Sequence, residues 1–188
     1  MLRARLRERA AAWARRRQGE DVPPLVLRAR RLYILPTRAG LGFSLLLFVM
    51  LVAGLNYTNS LALLLTFTLS GFMLVGMYEC QRTLQGLELM QVRALDSHVG
   101  AMGIIELRFA NAHHAARRAL HLRCSGAPAT RFDLAALATD TVKLGYSATR
   151  RGRLSIDRLE LSTTAPAGLF RAWTWLHLPL TAIVYPRP

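Results

Sequence analysis

Lysine, cysteine and charge are all scarce in this chain of 188 residues, and one long stretch has no ionisable side chain at all. Of the 25 basic residues only Lys143 is a lysine. With alanine and leucine also abundant, that skew reads as GC-rich coding. A phosphate-binding surface would instead cluster its cations and interleave stacking aromatics, so no nucleic-acid partner is expected. The two cysteines, Cys80 and Cys124, have no metal or redox spacing, which excludes a disulfide-stapled module and leaves two free buried thiols. The phosphate-cradling and dinucleotide glycine motifs are missing, as are H-E-x-x-H and G-x-S-x-G. Ser, His and Asp are too scattered to suggest a triad, and His113-His114 reads as a polar turn. No enzyme activity, catalytic residue, cofactor or metal is expected.

Charged residues make up 19% of the chain, below the ~25% of ordinary globular proteins, and they are segregated. Residues 39–78 contain no Asp, Glu, Lys, Arg or His. Residues 1–38 carry 11 Arg and 3 acids, and residues 79–188 carry 13 Arg, 1 Lys and 8 acids. The formal net charge is +14. An uncharged forty-residue segment with basic flanks excludes a purely soluble globule. It divides at Asn56-Tyr57-Thr58-Asn59-Ser60 into two apolar runs, 41–55 and 61–77. Each reaches, with its flanks, about the ~20 residues that cross a bilayer. A helical hairpin of residues 36–80 follows, with spans at about 38–56 and 60–78 and Pro36 just before the first helix. Ala62, Thr66 and Ser70 recur every fourth residue, either as a close-packing stripe or as hydroxyls bonding their own i−4 carbonyls. With no ionisable residue inside either span, the hairpin reads as an anchor. Arg30-Arg31 resembles a twin-arginine export signal, but a second span follows and no cleavage site is seen. Arg28, Arg30, Arg31 and Arg38 precede the hairpin, Arg82 follows it, and its turn has no cation. The positive-inside rule then puts both termini in the cytoplasm of the inner membrane.

Residues 1–35 form a basic cytoplasmic arm. Within it, 1–22 reads as a helix with Leu2, Leu6 and Trp13 on one stripe, suited to an anionic lipid surface. After the membrane the hydrophobic period falls to two. Ile105, Leu107 and Phe109 alternate with Glu106 and Arg108, and similar runs follow to the end. Strands are expected at 84–94, 103–110, 118–124, 130–137, 141–148, 153–163, 169–178 and 181–185, with a type I turn at Ala165-Pro166-Ala167-Gly168. The fold class is α+β: a two-helix transmembrane hairpin followed by a cytoplasmic, antiparallel, immunoglobulin-like β-sandwich over 84–188. Two surfaces qualify for binding. Arg171, Trp173 and Trp175 share one face of their strand, for a protein partner, a lipid headgroup zone or packing under a neighbouring element. Arg150, Arg151 and Arg153 form a basic loop for anionic lipid or an acidic partner, or simply a solvated turn.

Several segments resemble a known family. They are Arg31-Leu32-Tyr33-Ile34-Leu35-Pro36-Thr37-Arg38-Ala39-Gly40, Asn56-Tyr57, Leu63-Leu64-Leu65-Thr66-Phe67, the Arg151-Gly152 turn, and the run from Leu161-Ser162-Thr163 through Pro166-Ala167-Gly168-Leu169-Phe170-Arg171-Ala172-Trp173 to Val184-Tyr185-Pro186. Over roughly 30–188 the chain is similar to the domain-of-unknown-function family 58. Ala167 departs from the bulkier residue usual there. The resemblance implies a bacterial membrane protein working in complex assembly beside a MoxR-type AAA+ ATPase. Longer members continue into a region reminiscent of von Willebrand factor A domains, so the sequence is either a truncated form or part of a longer chain. No D-x-S-x-S motif is present, and no metal site carries over. The expected function is a membrane-anchored scaffold or adaptor. The alternatives are a lipid-binding or envelope-stress module using basic surfaces, or part of a larger enzyme. The topology has a direct check. An impermeant maleimide should label Thr58→Cys in intact cells and leave Thr130→Cys unlabelled until lysis.

Overall fold

Thr37 starts the first helix by accepting a hydrogen bond from the Gly40 amide at 3.1 Å, the N-cap arrangement that satisfies an otherwise orphaned donor. The computed structural model describes residues 21–156 and 158–186. The helix expected over 1–22 lies almost wholly outside them. Helix α1 (Arg38–Asn56) is joined to α2 (Ser60–Leu84) by the predicted turn. Asn59 caps α2, accepting from the amides of Leu61 and Ala62 at 3.1 and 3.2 Å. The helices run antiparallel, with Gly54 against Leu63 at one end and Ser44 Oγ 3.7 Å from Met73 Sδ towards the other. Both are long and apolar enough to cross a membrane, and their outer faces expose Leu45, Phe48, Leu64, Phe67 and Phe72. The Thr66 and Ser70 hydroxyls bond the carbonyls of Ala62 and Thr66 at 2.8 Å each. Thr66 is also buried, so this stripe packs while satisfying its own polar groups.

The strands are β1 (Leu25–Val26), β2 (Tyr33–Pro36), β3 (Leu87–Ala94), β4 (Ser97–His98), β5 (Met102–Asn111), β6 (Arg117–Cys124), β7 (Thr130–Leu134), β8 (Thr139–Ser147), β9 (Gly152–Ile156), β10 (Leu159–Thr163), β11 (Phe170–Leu176) and β12 (Leu180–Tyr185). They form three sheets, ordered β1-β3-β5-β8, β2-β11-β10-β6-β7 and β4-β12-β9. All pairings are antiparallel except β4 with β12. The chain is thus α+β, with two helices and a β-rich domain. One apolar cluster joins the three sheets, including Leu89, Leu107, Phe109 and Leu144 from the first, Leu122, Leu161 and Ala172 from the second, and Ile156 and Val184 from the third. Leu107 and Phe109 are among the residues that the alternation marked. Across the first sheet the Tyr146 ring lies where a Cβ on Gly103 would stand, 2.1 Å from Cζ. Only glycine fits opposite that tyrosine.

Several boundaries differ from the sequence expectations. The expected strand 153–163 is two strands, β9 and β10, in different sheets. The segment before the hairpin is not simply an arm, since β1 pairs with β3 and β2 with β11. Pro36 ends β2, so Thr37 separates it from the helix. The turn after β10 is not type I, because Ala165-Pro166 is cis and the Gly168 amide bonds Thr164 O at 2.9 Å, one residue further back. Finally, α2 continues six residues past Tyr78, where a strand was expected from 84. Its last turns leave the apolar stretch and enter the β core. Cys80 and Leu84 are buried there, and the Cys80 thiol points at the carbonyls of Phe170 and Thr163, 3.6 and 3.9 Å away.

A helix ending inside protein must have its last carbonyls satisfied. Arg117, on β6 and only 4% exposed, does this. Its guanidinium donates to Thr83 O at 2.5 Å, Gln85 O at 2.8 Å and Arg82 O at 3.4 Å. Its Nε donates to Asn111 Oδ1 at 2.8 Å. Asn111 Nδ2 in turn donates to the carbonyls of Ala115 and Ala135, both at 2.9 Å. Burial lowers the Arg117 pKa from its usual value, because desolvation disfavours the charged form. The positive charge still suits the negative end of the helix dipole. Arg117→Ala should therefore cost about 3 kcal/mol, since hydrogen bonds to a charged group are lost and buried carbonyls orphaned. The exposed neighbour, Arg118→Ala, should stay within ~0.5 kcal/mol. Equilibrium denaturation of the two variants in one detergent compares them.

Candidate functional site

The strand β11 alternates cleanly. Phe170, Ala172, Thr174 and Leu176 are buried, while Arg171, Trp173 and Trp175 are half-buried on the other face. The three residues singled out from sequence therefore stand together on the outer side of the five-stranded sheet, away from the core. His177 lies past the strand end and is buried.

Neighbouring strands complete the face with residues that sequence reasoning did not select. On β2, Tyr33 stands opposite Trp173, and their rings stack with centroids 5.8 Å apart and planes 26° apart. On β10, Glu160 stands opposite Trp175 and also opposite Arg123 of β6. Although it points outward, Glu160 is only 7% exposed. Its carboxylate bridges two arginines, accepting from Arg171 through Oε1 and from Arg123 Nη2 through Oε2 at 3.3 Å. Arg158 places its guanidinium carbon 4.4 Å from the centre of the Trp175 ring, a cation–π distance. The result is a row of flat groups, Tyr33, Trp173 and Trp175, beside two arginines held by one buried carboxylate. Glu160 was visible in the alternation Leu159-Glu160-Leu161 only as a solvated position. What buries it is a set of neighbours from the two flanking strands, β11 and β6.

The flanking cations divide. Arg28, Arg30, Arg38 and Arg82 are exposed, with Arg82 in a surface pair to Glu79 at 3.5 Å. Arg31 is engaged instead by Asp21, which is 2% exposed and also accepts from the His177 amide at 3.0 Å. Its charge ties the segment before the hairpin to the end of β11. Arg150, Arg151 and Arg153 are exposed around the β8–β9 turn. Since β8 begins beside the helix-proximal end of β5 and runs away from it, this turn is at the far end of the sheets. At ~3.4 Å per residue its nine residues separate it by about 30 Å from the helix junction. Among the described residues no group of His, Cys, Asp and Glu is placed to hold a metal ion. A groove on α1 between Phe48, Val52 and Asn56 lies on the hairpin, apart from the aromatic face.

No model of a known protein family matches the chain, and a search of curated proteins finds none similar to it. The stacked pair at the centre of the face has its own check. A double-mutant cycle of Tyr33→Ala and Trp173→Ala should return a coupling of ~0.5–1.5 kcal/mol. Strictly additive losses in denaturant melts would mean that the rings do not interact.

Proposed function

We propose that the chain is a scaffold or adaptor, anchored in the bacterial inner membrane by the α1–α2 hairpin and docking a protein partner on its β domain. In this reading both termini are cytoplasmic, because the exposed Arg28, Arg30, Arg38 and Arg82 flank the hairpin and its turn carries none. The β domain is read as an immunoglobulin-like sandwich, supported by antiparallel sheets that share one core. The observation that carries the proposal is the outward row of Tyr33, Trp173 and Trp175 with Arg171 and Arg123 clamped by Glu160. Aromatics and arginine dominate interface energetics. Side chains already held in place lose little further freedom on binding.

The partner we propose is a MoxR-type AAA+ ATPase, drawn from the resemblance to the domain-of-unknown-function family 58. The chain has no nucleotide motif, so an energy-driven task would draw its energy from outside. Trp175→Ala should weaken capture of that ATPase by ~2 kcal/mol or more, as loss of an interface anchor does. Because Trp175 stands outside the core, the variant should keep its fold, with unchanged far-UV circular dichroism. A folded variant that captures the ATPase at wild-type strength would remove this face from the proposal.

A further inference from the structure

The end of the β domain nearest the helices differs in composition from the opposite end. Strand register identifies it. Leu87 pairs with Asn111, Ala110 with Thr139 and Phe170 with Pro36, so the turns 112–116, 135–138 and 164–169 all lie where α1 and α2 leave the domain. None of these turns contains Asp, Glu, Lys or Arg, and their titratable residues are His113 and His114 alone. At the other end the turn 125–129 is uncharged as well, but Asp96, Arg150, Arg151 and Arg158 stand in the turns around it.

Two details fix the depth and rigidity of the uncharged end. The turn 164–169 is fastened to the start of α1: the Thr37 amide donates to Leu169 O at 2.8 Å, and the Thr37 hydroxyl donates to Gly168 O at 2.7 Å. Leu169 O lies 2.0 Å from where a Cβ on Gly40 would be. The turn therefore reaches the level of Gly40, past Arg38, the last cation before the uncharged helix. Pro166 and Ala167 are exposed at its tip. The second detail is Leu137. It is 61% exposed and has a φ of +53°, a backbone state costly for a leucine. Its amide donates to His113 O at 3.1 Å, and Asn111 bonds both turns at once. The core gains nothing from a leucine held outward in this way.

We infer that the three turns form an uncharged collar bedded in the interfacial layer of the bilayer that the hairpin spans. This inference rests on the membrane reading above. Lipid is the occupant because the collar is continuous with the apolar hairpin. Alanine, proline and leucine enter the headgroup zone without the desolvation cost of a charged side chain, and the exposed Arg38 and Arg82 beside them suit lipid phosphates. The β domain is thereby seated on the membrane rather than held above it on a stalk.

Fluorophore depth measurements on the full chain, in vesicles of phosphatidylcholine and phosphatidylglycerol, test the collar. Cys80 and Cys124 are buried, and burial raises the Cys124 pKa, keeping that thiol protonated and slow to react. A nitrobenzoxadiazole label then reports cysteines introduced as Leu137→Cys, Ala167→Cys, Thr149→Cys at the far end, and Leu46→Cys within α1. At 137 and 167 we expect blue-shifted emission and loss of intensity to lipid bearing a nitroxide near its headgroup, with neither change at 149. Water-like, unquenched emission at either 137 or 167 while 46 is quenched overturns the collar and leaves the anchor standing. Absence of quenching at 46 as well overturns the anchor, and the collar with it.

Discussion

A helix that passes from an apolar hairpin into a β core must end where water is scarce, and the structure depends on how that end is satisfied. The last carbonyls of α2 have no intrahelical donors. Arg117 supplies three hydrogen bonds from one buried guanidinium, together with a positive charge at the negative end of the helix dipole. Asn111 holds that guanidinium and uses its own amide to tie down two turns. A buried polar network of this kind is stable only when every member is satisfied. Here the main demands close on one another, so the hairpin and the sheets are joined without a flexible linker.

This junction bears on the outer aromatic face because both involve β11. Its inner side packs Phe170 and Ala172 beside Cys80 of α2, and its outer side carries Trp173 and Trp175. One strand therefore separates the helix from the proposed docking face. Beside it, β10 is buried at all five positions, since Glu160 and Ser162 are covered from outside by their neighbours. The face is thus a second packed layer of side chains, with the arginines as its outermost members.

Much of this was legible in the sequence. The uncharged run and its polar break marked the hairpin, because bilayer thickness dictates helix length and any ionisable group would stand out. Alternation marked β5, β6 and β8, and it put Trp173 and Trp175 on one face and Phe170 and Ala172 on the other. What escaped was mostly determined by distant residues. The four residues of β2 sit in a basic segment and become a strand only because β11 lies beside them. The last turns of α2 were not read as helix, because Cys80 and Leu84 are isolated among Glu79, Gln81, Arg82 and Thr83, too sparse a helical stripe to recognise alone. Glu160 and Arg117 looked like ordinary solvated charges. Their burial comes from cross-strand neighbours and a helix end, which local spacing does not encode.

The pairing of β2 with β11 also constrains how the protein is made. Some 140 residues of chain, including the whole hairpin, are synthesised after Tyr33 and before its partner Trp173 exists. In the membrane reading proposed above, the hairpin would enter the bilayer as it emerges, while β2 would wait on the ribosome side with Tyr33 and Ile34 uncovered. Closing that separation is entropically slow, so in that reading insertion would precede domain closure, and the membrane would hold the two distant strands near each other while the remainder is translated. The proposed anchor would therefore also act, during biogenesis, as a template for one of the long-range strand pairings of the domain.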